Sequence, residues 1–438
     1  MIKYITLRNY KSFTSVSVDF CSKKNPLPLV IIYGENGAGK TNLINVFDTL
    51  ADTFRSMQLK NLILSVLENA DESLDTEKIT ELNSLTDISR IIYNAKTIGS
   101  TENMIIEIGF SLEGNDGIYY LEFDNDSIVK EYLEFQIEKN RGVHFCIDSG
   151  NVKLNPKIFT NSYSDELKKL IQKFWGKHSL ISILYYEVDE CTTDFLKSNI
   201  HHNLFRVLDF FHSISAYIVG SDSNWGVLGK SNLFIRDFEE GEIDSSDIEQ
   251  LKNSENIVRQ YLTNIYRDIV DVHYDIKQNG EKTTYKLVLS KMIGNSIRDI
   301  DISLESTGTR NLLLLLPYFL ISSMDSPGVV LIDEIDNGIH DILLQNLMTC
   351  LNNSHKRQLI ITTHNLMLLS NKELRDYFYF IDMDEKGNKE VKSIYDFDHR
   401  IQSEHNLYLG YTKNNWFKGL PWEDINLDFS KLENFLHK

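Results

Sequence analysis

Eight consecutive residues make the plainest chemical statement in this sequence. Gly34-Glu35-Asn36-Gly37-Ala38-Gly39-Lys40-Thr41 follows the spacing GxxxxGK[ST]. Glycines at these places let backbone N–H groups wrap around phosphate oxygens, and a helix opening at the lysine adds the positive end of its dipole. Lys40 is placed to reach the β- and γ-phosphates of a nucleotide, and Thr41 to offer its hydroxyl to Mg²⁺. Gly34, Asn36, Gly37, Gly39 and Asn42 complete the expected nucleotide contacts. A chance glycine-rich turn would lack the context found here. The apolar run Leu29–Tyr33 leads in, and Leu43, Val46, Phe47 and Leu50 lead out with helical spacing.

Further along, Val329-Val330-Leu331-Ile332-Asp333-Glu334 reads as a buried strand ending in two carboxylates. Asp333 is suited to hold the shell of a Mg²⁺ ion, and Glu334 to polarise an attacking water. Acids at a strand end are common; the upstream phosphate loop is what makes this pair informative. Gln358-Leu359-Ile360-Ile361-Thr362-Thr363-His364-Asn365 is a second buried strand, ending in small polar residues and a histidine. A lone histidine there is ordinarily structural, but beside the other two motifs His364 is expected to sense a γ-phosphate and orient the water. Between these strands, Ser306-Thr307-Gly308 begins a helix, which makes Ser306 and Gly308 either a second anion site or a simple N-cap.

These residues need elements to hold them. The opening reads as two strands, Ile2–Leu7 and Ser15–Phe20, and 54–95 as helical. Alternating stretches over 103–155, punctuated by turn residues such as Asn115-Asp116-Gly117, predict an antiparallel β lobe. Helical periods return over 162–270, interrupted by a loop-like stretch at 220–230 and an acidic linker, Glu239–Asp247. Two strands, Val272–Lys277 and Tyr285–Ser290, follow a helix around Ile257–Tyr266, and 304–400 alternates helix and strand as a parallel sheet requires. The fold class is α/β: a mixed sheet flanked by helices, with an antiparallel β lobe and a helical insertion. The expected divisions are 1–53, 54–160, 161–270, 271–400 and a tail at 401–438, where Trp416, Phe417 and Trp422 could form a docking patch or pack on the body.

The chain has 438 residues with a formal charge of −18, which excludes a surface that binds nucleic acid everywhere. It leaves room for one basic face, Lys168-Lys169, Lys173 and Lys177, or for an acidic face that meets another protein. Four cysteines without a CxxC pair exclude a zinc ribbon or hook and fit a reducing cytoplasm. No apolar h-region opens the chain, and the longest apolar run, Leu312–Ile321, is broken by Pro317 and falls short of the ~20 residues of a span. No membrane association is expected. Asp382-Met383-Asp384 reads as a hairpin turn rather than a metal site, and His201-His202 as helix surface.

The order of these motifs resembles the ABC-type ATPase heads of the SMC, RecF and OLD group. Ile5-Thr6-Leu7-Arg8-Asn9-Tyr10-Lys11-Ser12-Phe13 is similar to that group's N-terminal strand and turn. The resemblance implies that 34–41 is Walker A, Asp333 Walker B, Glu334 the catalytic glutamate, Asp336 part of the D-loop and His364 the switch histidine. Ser306, Thr307 and Gly308 would be a degenerate signature motif, and Gln136 is a candidate Q-loop glutamine. In such heads ATP is sandwiched between Walker A of one copy and the signature helix of another, which implies a homodimer or higher homo-oligomer. The middle of the chain is too short and too β-rich for a long coiled-coil arm. The stretch after His364 is too short for the Toprim nuclease of OLD proteins, and the tail resembles stand-alone ATPases of prokaryotic anti-phage systems. The expected role is therefore a sensor or scaffold that controls a separately encoded effector, such as a nuclease, with DNA or a phage protein as trigger. The alternative is a RecF-like DNA-binding ATPase of repair, with a transporter motor as the weaker third reading.

Overall fold

The computed structural model describes residues 1–69, 88–219, 234–235, 237–384, 386–397, 405–414 and 416–417. The first part of the chain forms β1 (Ile2–Tyr10), β2 (Phe13–Asp19), a small ribbon of β3 (Cys21–Ser22) and β4 (Asn25–Pro26), β5 (Leu29–Tyr33), α1 (Lys40–Asn69) and α2 (Ile88–Ala95). Next come β6 (Met104–Leu112), β7 (Asn115–Phe123), β8 (Ile128–Ile137), β9 (Asn140–Asp148) and β10 (Asn151–Leu154). The helices α3 (Asn161–Phe174), α4 (Leu180–Glu190), α5 (Thr193–Asn199) and α6 (His202–His212) lead to β11 (Ile214–Tyr217) and β12 (Glu240–Asp244). Then follow α7 (Ile248–Ile265), β13 (Ile269–Asn279), β14 (Lys282–Ile293), β15 (Ser296–Asp301) and α8 (Thr307–Ser322). The chain continues through β16 (Val329–Ile332), α9 (Asp341–Ser354), β17 (Gln358–Thr362), β18 (Phe378–Met383), β19 (Lys389–Ser393) and α10 (Leu407–Asn414).

The central sheet runs β11-β16-β17-β5-β18-β19 and is parallel except for β19. Every residue of β5, β16 and β17 is buried, as a sheet covered on both faces demands. Alternate residues feed two separate cores. Val30, Ile32, Val329, Leu331 and Ile360 pack with α1 and the β lobe. Ile31, Tyr33, Val330, Ile332 and Ile361 pack with α7, α8, α9 and the small sheet of β12 to β15.

The β lobe is a seven-stranded antiparallel sheet, β10-β9-β8-β7-β6-β1-β2. Its inner face, with Ile106, Ile108, Phe110, Leu121 and Phe135, lies in the first core. Gln358, fully buried at the start of β17, ties this sheet to the central one. Its Oε1 accepts from Ile2 N at 2.6 Å, and its Nε2 donates to the carbonyls of Ile2 and Leu27, each at 2.9 Å.

Several expectations need correction. The boundary at 53/54 cuts through α1, and β1 and β2 are part of the β lobe's sheet. Within the expected helical insertion, β11 pairs in parallel with β16 and forms the edge of the central sheet. Asn115-Asp116-Gly117 lies inside β7; the turn is at Glu113 and Gly114, with φ of +49° and +80°, a geometry suited to a tight hairpin. Part of the acidic linker is β12, paired with β14. Phe417 is fully buried and stacks on Phe380 at 4.4 Å, with Trp416 edge-on to it, so these two residues pack on the body instead of forming a docking patch. Trp422, the stretch 220–230 and the tail beyond 417 lie outside the described residues. Among the described residues no helix is long and apolar enough to cross a membrane.

Gln358→Ala would leave three buried backbone groups without partners and is expected to cost about 2 kcal/mol or more. A lowered urea midpoint for the first unfolding transition checks this; an unchanged midpoint would mean the two sheets are held without it.

Candidate nucleotide site

The sheet order assembles the site. Because β17 lies between β5 and β16, three neighbouring strands present their C-terminal ends together. The phosphate loop, Asp333-Glu334 and Thr362 to His364 therefore meet on one edge. Asn36, Gly37, Gly39, Lys40, Thr41, Asn42, Glu334 and His364 line a single cleft of about 160 Å³.

Within the loop, Gly37 and Gly39 have φ of +80° and +107°, which side-chain-bearing residues rarely adopt. Lys40 is nearly buried and donates to the carbonyls of Gly34 at 2.8 Å and Glu35 at 3.1 Å. Burial lowers its pKa, and the carboxylates of Asp333, Glu334 and Asp336 pull it back up. Asn42, besides lining the cleft, donates from Nδ2 to Ser12 Oγ at 2.8 Å, which ties the loop to the β1–β2 turn.

Asp333 is 1% exposed, and its Oδ1 accepts from the Thr362 hydroxyl at 2.5 Å. Its Oδ2 is buried with no hydrogen-bond partner. A buried carboxylate oxygen in this condition fits a hydrated cation or its water. Among the described residues no three His, Cys, Asp or Glu are placed to hold a metal ion by themselves.

Glu334 has a φ of +48°, so the chain turns sharply just past β16. For a residue with a side chain this costs on the order of 1 kcal/mol. It is held there because Glu334 N donates to Thr362 Oγ1 at 2.8 Å and Ile335 N to the Thr362 carbonyl at 3.1 Å. The carboxylate thereby faces the cleft. Asp336 accepts from His364 N at 3.2 Å with both oxygens. Burial, then the nearby Lys40 charge, lowers the His364 pKa, against the opposing pull of Asp336, Glu334 and Asp333.

The expected signature residues are not in this cleft. Ser306 caps α8, its Oγ accepting from Thr309 N at 3.2 Å, and both Ser306 and Thr307 are exposed. Gly308 has a packing duty within the chain: a Cβ there would sit 2.4 Å from the Gly338 carbonyl oxygen. Asn311 Nδ2 donates to the Asn337 carbonyl at 2.8 Å, so the start of α8 is fastened to the loop after Glu334. Gln136 lies in the β8–β9 hairpin, donating to the Glu138 carbonyl at 2.7 Å, away from the cleft. Asp384 accepts from Lys386 N and Asn388 N, as a hairpin turn would have it. Thr362 is the site residue that sequence reasoning passed over; the Thr-Thr-His run was its only signal.

The family model described as "AAA domain" matches residues 4–264, and the one described as "AAA domain, putative AbiEii toxin, Type IV TA system" matches residues 160–370. Among solved structures, the SMC head domain from Thermotoga maritima aligns at 15% identity with a TM-score of 0.39, over 90% of this chain and 98% of that one. An SMC head bound to the C-winged helix domain of ScpA aligns at 14% with a TM-score of 0.40, over 90% and 97%. The Pyrococcus furiosus Smc head with an extended coiled coil, bound to the C-terminal domain of ScpA, aligns at 12% with a TM-score of 0.38, over 90% and 96%.

His364 should titrate below the ordinary histidine value of about 6.5, and so be neutral at pH 7. A depressed value in the fold means the stability tied to the neutral ring is lost as pH falls below that ordinary value. The imidazole NMR shift, assigned with His364→Gln, checks this; a midpoint above 6.5 would show that the surrounding carboxylates prevail.

Proposed function

The chain belongs to the AAA domain family, and on that premise we propose that it is an ATP-hydrolysing switch that works as a head pair. The observation that carries this reading is the convergence of Lys40, Glu334 and His364 on one cleft, with the unpartnered Asp333 oxygen buried behind it within electrostatic reach of Lys40. Lys40 holds the β- and γ-phosphates while loop N–H groups wrap them. Thr41 and Asp333 would hold Mg²⁺, whose charge, when bound, offsets that of the phosphates. Glu334 draws a proton from the attacking water, and neutral His364 orients that water toward the γ-phosphate.

The second half of the reading concerns the partner. Ser306 and Thr307 lie exposed at the start of α8, outside their own chain's cleft. We assign them to the nucleotide of a second copy, so that ATP closes a homodimer, or a larger homo-oligomer, and hydrolysis opens it. In this proposal the cycle gates a separately encoded effector, such as a nuclease, in a response to phage, with DNA or a phage protein as trigger. The description of the family matched over 160–370, with its AbiEii toxin and type IV system, supports that setting. The exposed Lys168, Lys169, Lys173 and Lys177 favour the second reading, a DNA-binding repair ATPase. Against it, Lys168 pairs with Asp165 and Lys173 lies over the Phe174 ring, as on an ordinary solvated face.

Lys40→Ala should abolish ATP binding. Glu334→Gln should keep binding and slow turnover by about 100-fold or more. Ser306→Arg, a change on an exposed residue, should keep binding and lose turnover; unchanged turnover would sink the shared site. Ser306 is the better probe than Gly308, because any side chain at Gly308 strikes the Gly338 backbone.

A further inference from the structure

Lys389 opens β19, the strand that closes the central sheet beyond β18. Its side chain is 8% exposed and reaches back to the phosphate loop. Nζ donates to the Gly37 carbonyl at 3.0 Å and to Ser12 Oγ at 2.9 Å, and lies 5.5 Å from the centre of the Phe13 ring. Ser12 Oγ also accepts from Asn42 Nδ2, so both its lone pairs are engaged and its own proton is left to donate. A Cβ on Gly39 would come within 3.3 Å of Lys389 Nζ and 3.2 Å of Ser12 Oγ. The loop is thus gripped by two lysines from distant parts of the chain, Lys40 from within and Lys389 from outside.

The charge on Lys389 has a reason to be there. Among the described residues no carboxylate pairs with it, and burial pulls its pKa down. A lysine buried without a counter-charge costs stability unless something anionic comes near. An ammonium carries three protons, and two of these point to Ser12 Oγ and the Gly37 carbonyl. Gly37, whose carbonyl it holds, lines the candidate nucleotide cleft.

We propose that Lys389 is a positioning residue of the nucleotide site, clamping the Gly37 carbonyl and Ser12 so that the loop N–H groups stay converged on the phosphates of a nucleoside triphosphate, and adding its charge to that of Lys40. This rests on the nucleotide reading of the cleft. An interaction of this kind is present in the ground state and the transition state alike, so it acts on affinity far more than on the chemical step.

The test uses the full chain as wild type, Lys389→Met, Ser12→Ala and Lys40→Ala. Binding of MgATP and MgADP is measured by equilibrium titration, and turnover at saturating MgATP alongside. Lys389→Met should weaken binding of both nucleotides by about 10-fold or more, with kcat within about 2-fold of wild type. Ser12→Ala, a small change, should weaken binding by about 3-fold in the same direction, and it decides the matter if Lys389→Met fails to fold by circular dichroism. Wild-type affinity in a folded Lys389→Met protein, or in Ser12→Ala if that protein alone folds, overturns the proposal while leaving the cleft a nucleotide site. A fall in kcat with unchanged affinity overturns it as well. If wild type binds neither nucleotide, the nucleotide reading itself fails, and this proposal with it.

Discussion

The Thr362 hydroxyl, buried at the end of β17, donates to Asp333 Oδ1 and accepts from Glu334 N. The placement of Asp333 and Glu334 depends on this joint between two strands. It engages one oxygen of Asp333 and leaves the other without a partner. It also holds the backbone of Glu334 in a left-handed conformation that a glutamate would otherwise avoid, which turns its carboxylate to the cleft. Two residues on, Asp336 holds the backbone N–H of His364. One hydroxyl thus ties Asp333 and the backbone of Glu334 to the strand that leads into His364.

That precision is possible because the strands beneath cannot move. β5, β16 and β17 are buried on both faces, and close-packed cores on each side resist displacement. No residue within these three strands is charged. Past their C-terminal ends the carboxylates of Asp333, Glu334 and Asp336 oppose the cost of burying Lys40, and the loop peptides supply acceptors for the ammonium. The contact of Gly308 with Gly338 extends the same rigidity outward. The exposed start of α8 bears directly on the loop that carries Asp336, whose carboxylate accepts from His364 N.

The remaining layers brace this edge. The antiparallel lobe is bound to the foot of β17 through Gln358, and its β1–β2 turn brings Ser12 and Phe13 to the phosphate loop. The aromatic stack of Phe380 and Phe417 draws the chain after α10 against β18, beside the strand that bears Lys389. Residues from both ends of the sequence therefore support one loop near its beginning.

The sequence by itself determined the local chemistry: the phosphate loop, the acids after a β-strand, the histidine after another, and the bounds of β5 as read. Those features rest on near neighbours in the chain, where glycine spacing, apolar runs and strand alternation act directly. Tertiary structure decided which distant residues meet. The alternation of β1 and β2 announces strands, but not that they join the lobe's sheet. β11 is four residues long, too short for periodicity to separate it from the helices before it, and only its pairing with β16 makes it a strand. Gly308 reads in the sequence only as part of a helix start, and the Gly338 carbonyl that crowds it lies thirty residues away. Thr362 and Lys389 carry no spacing that marks them. Their roles come from hydrogen bonds to groups on other strands, and such bonds exist only once the sheet order has been set.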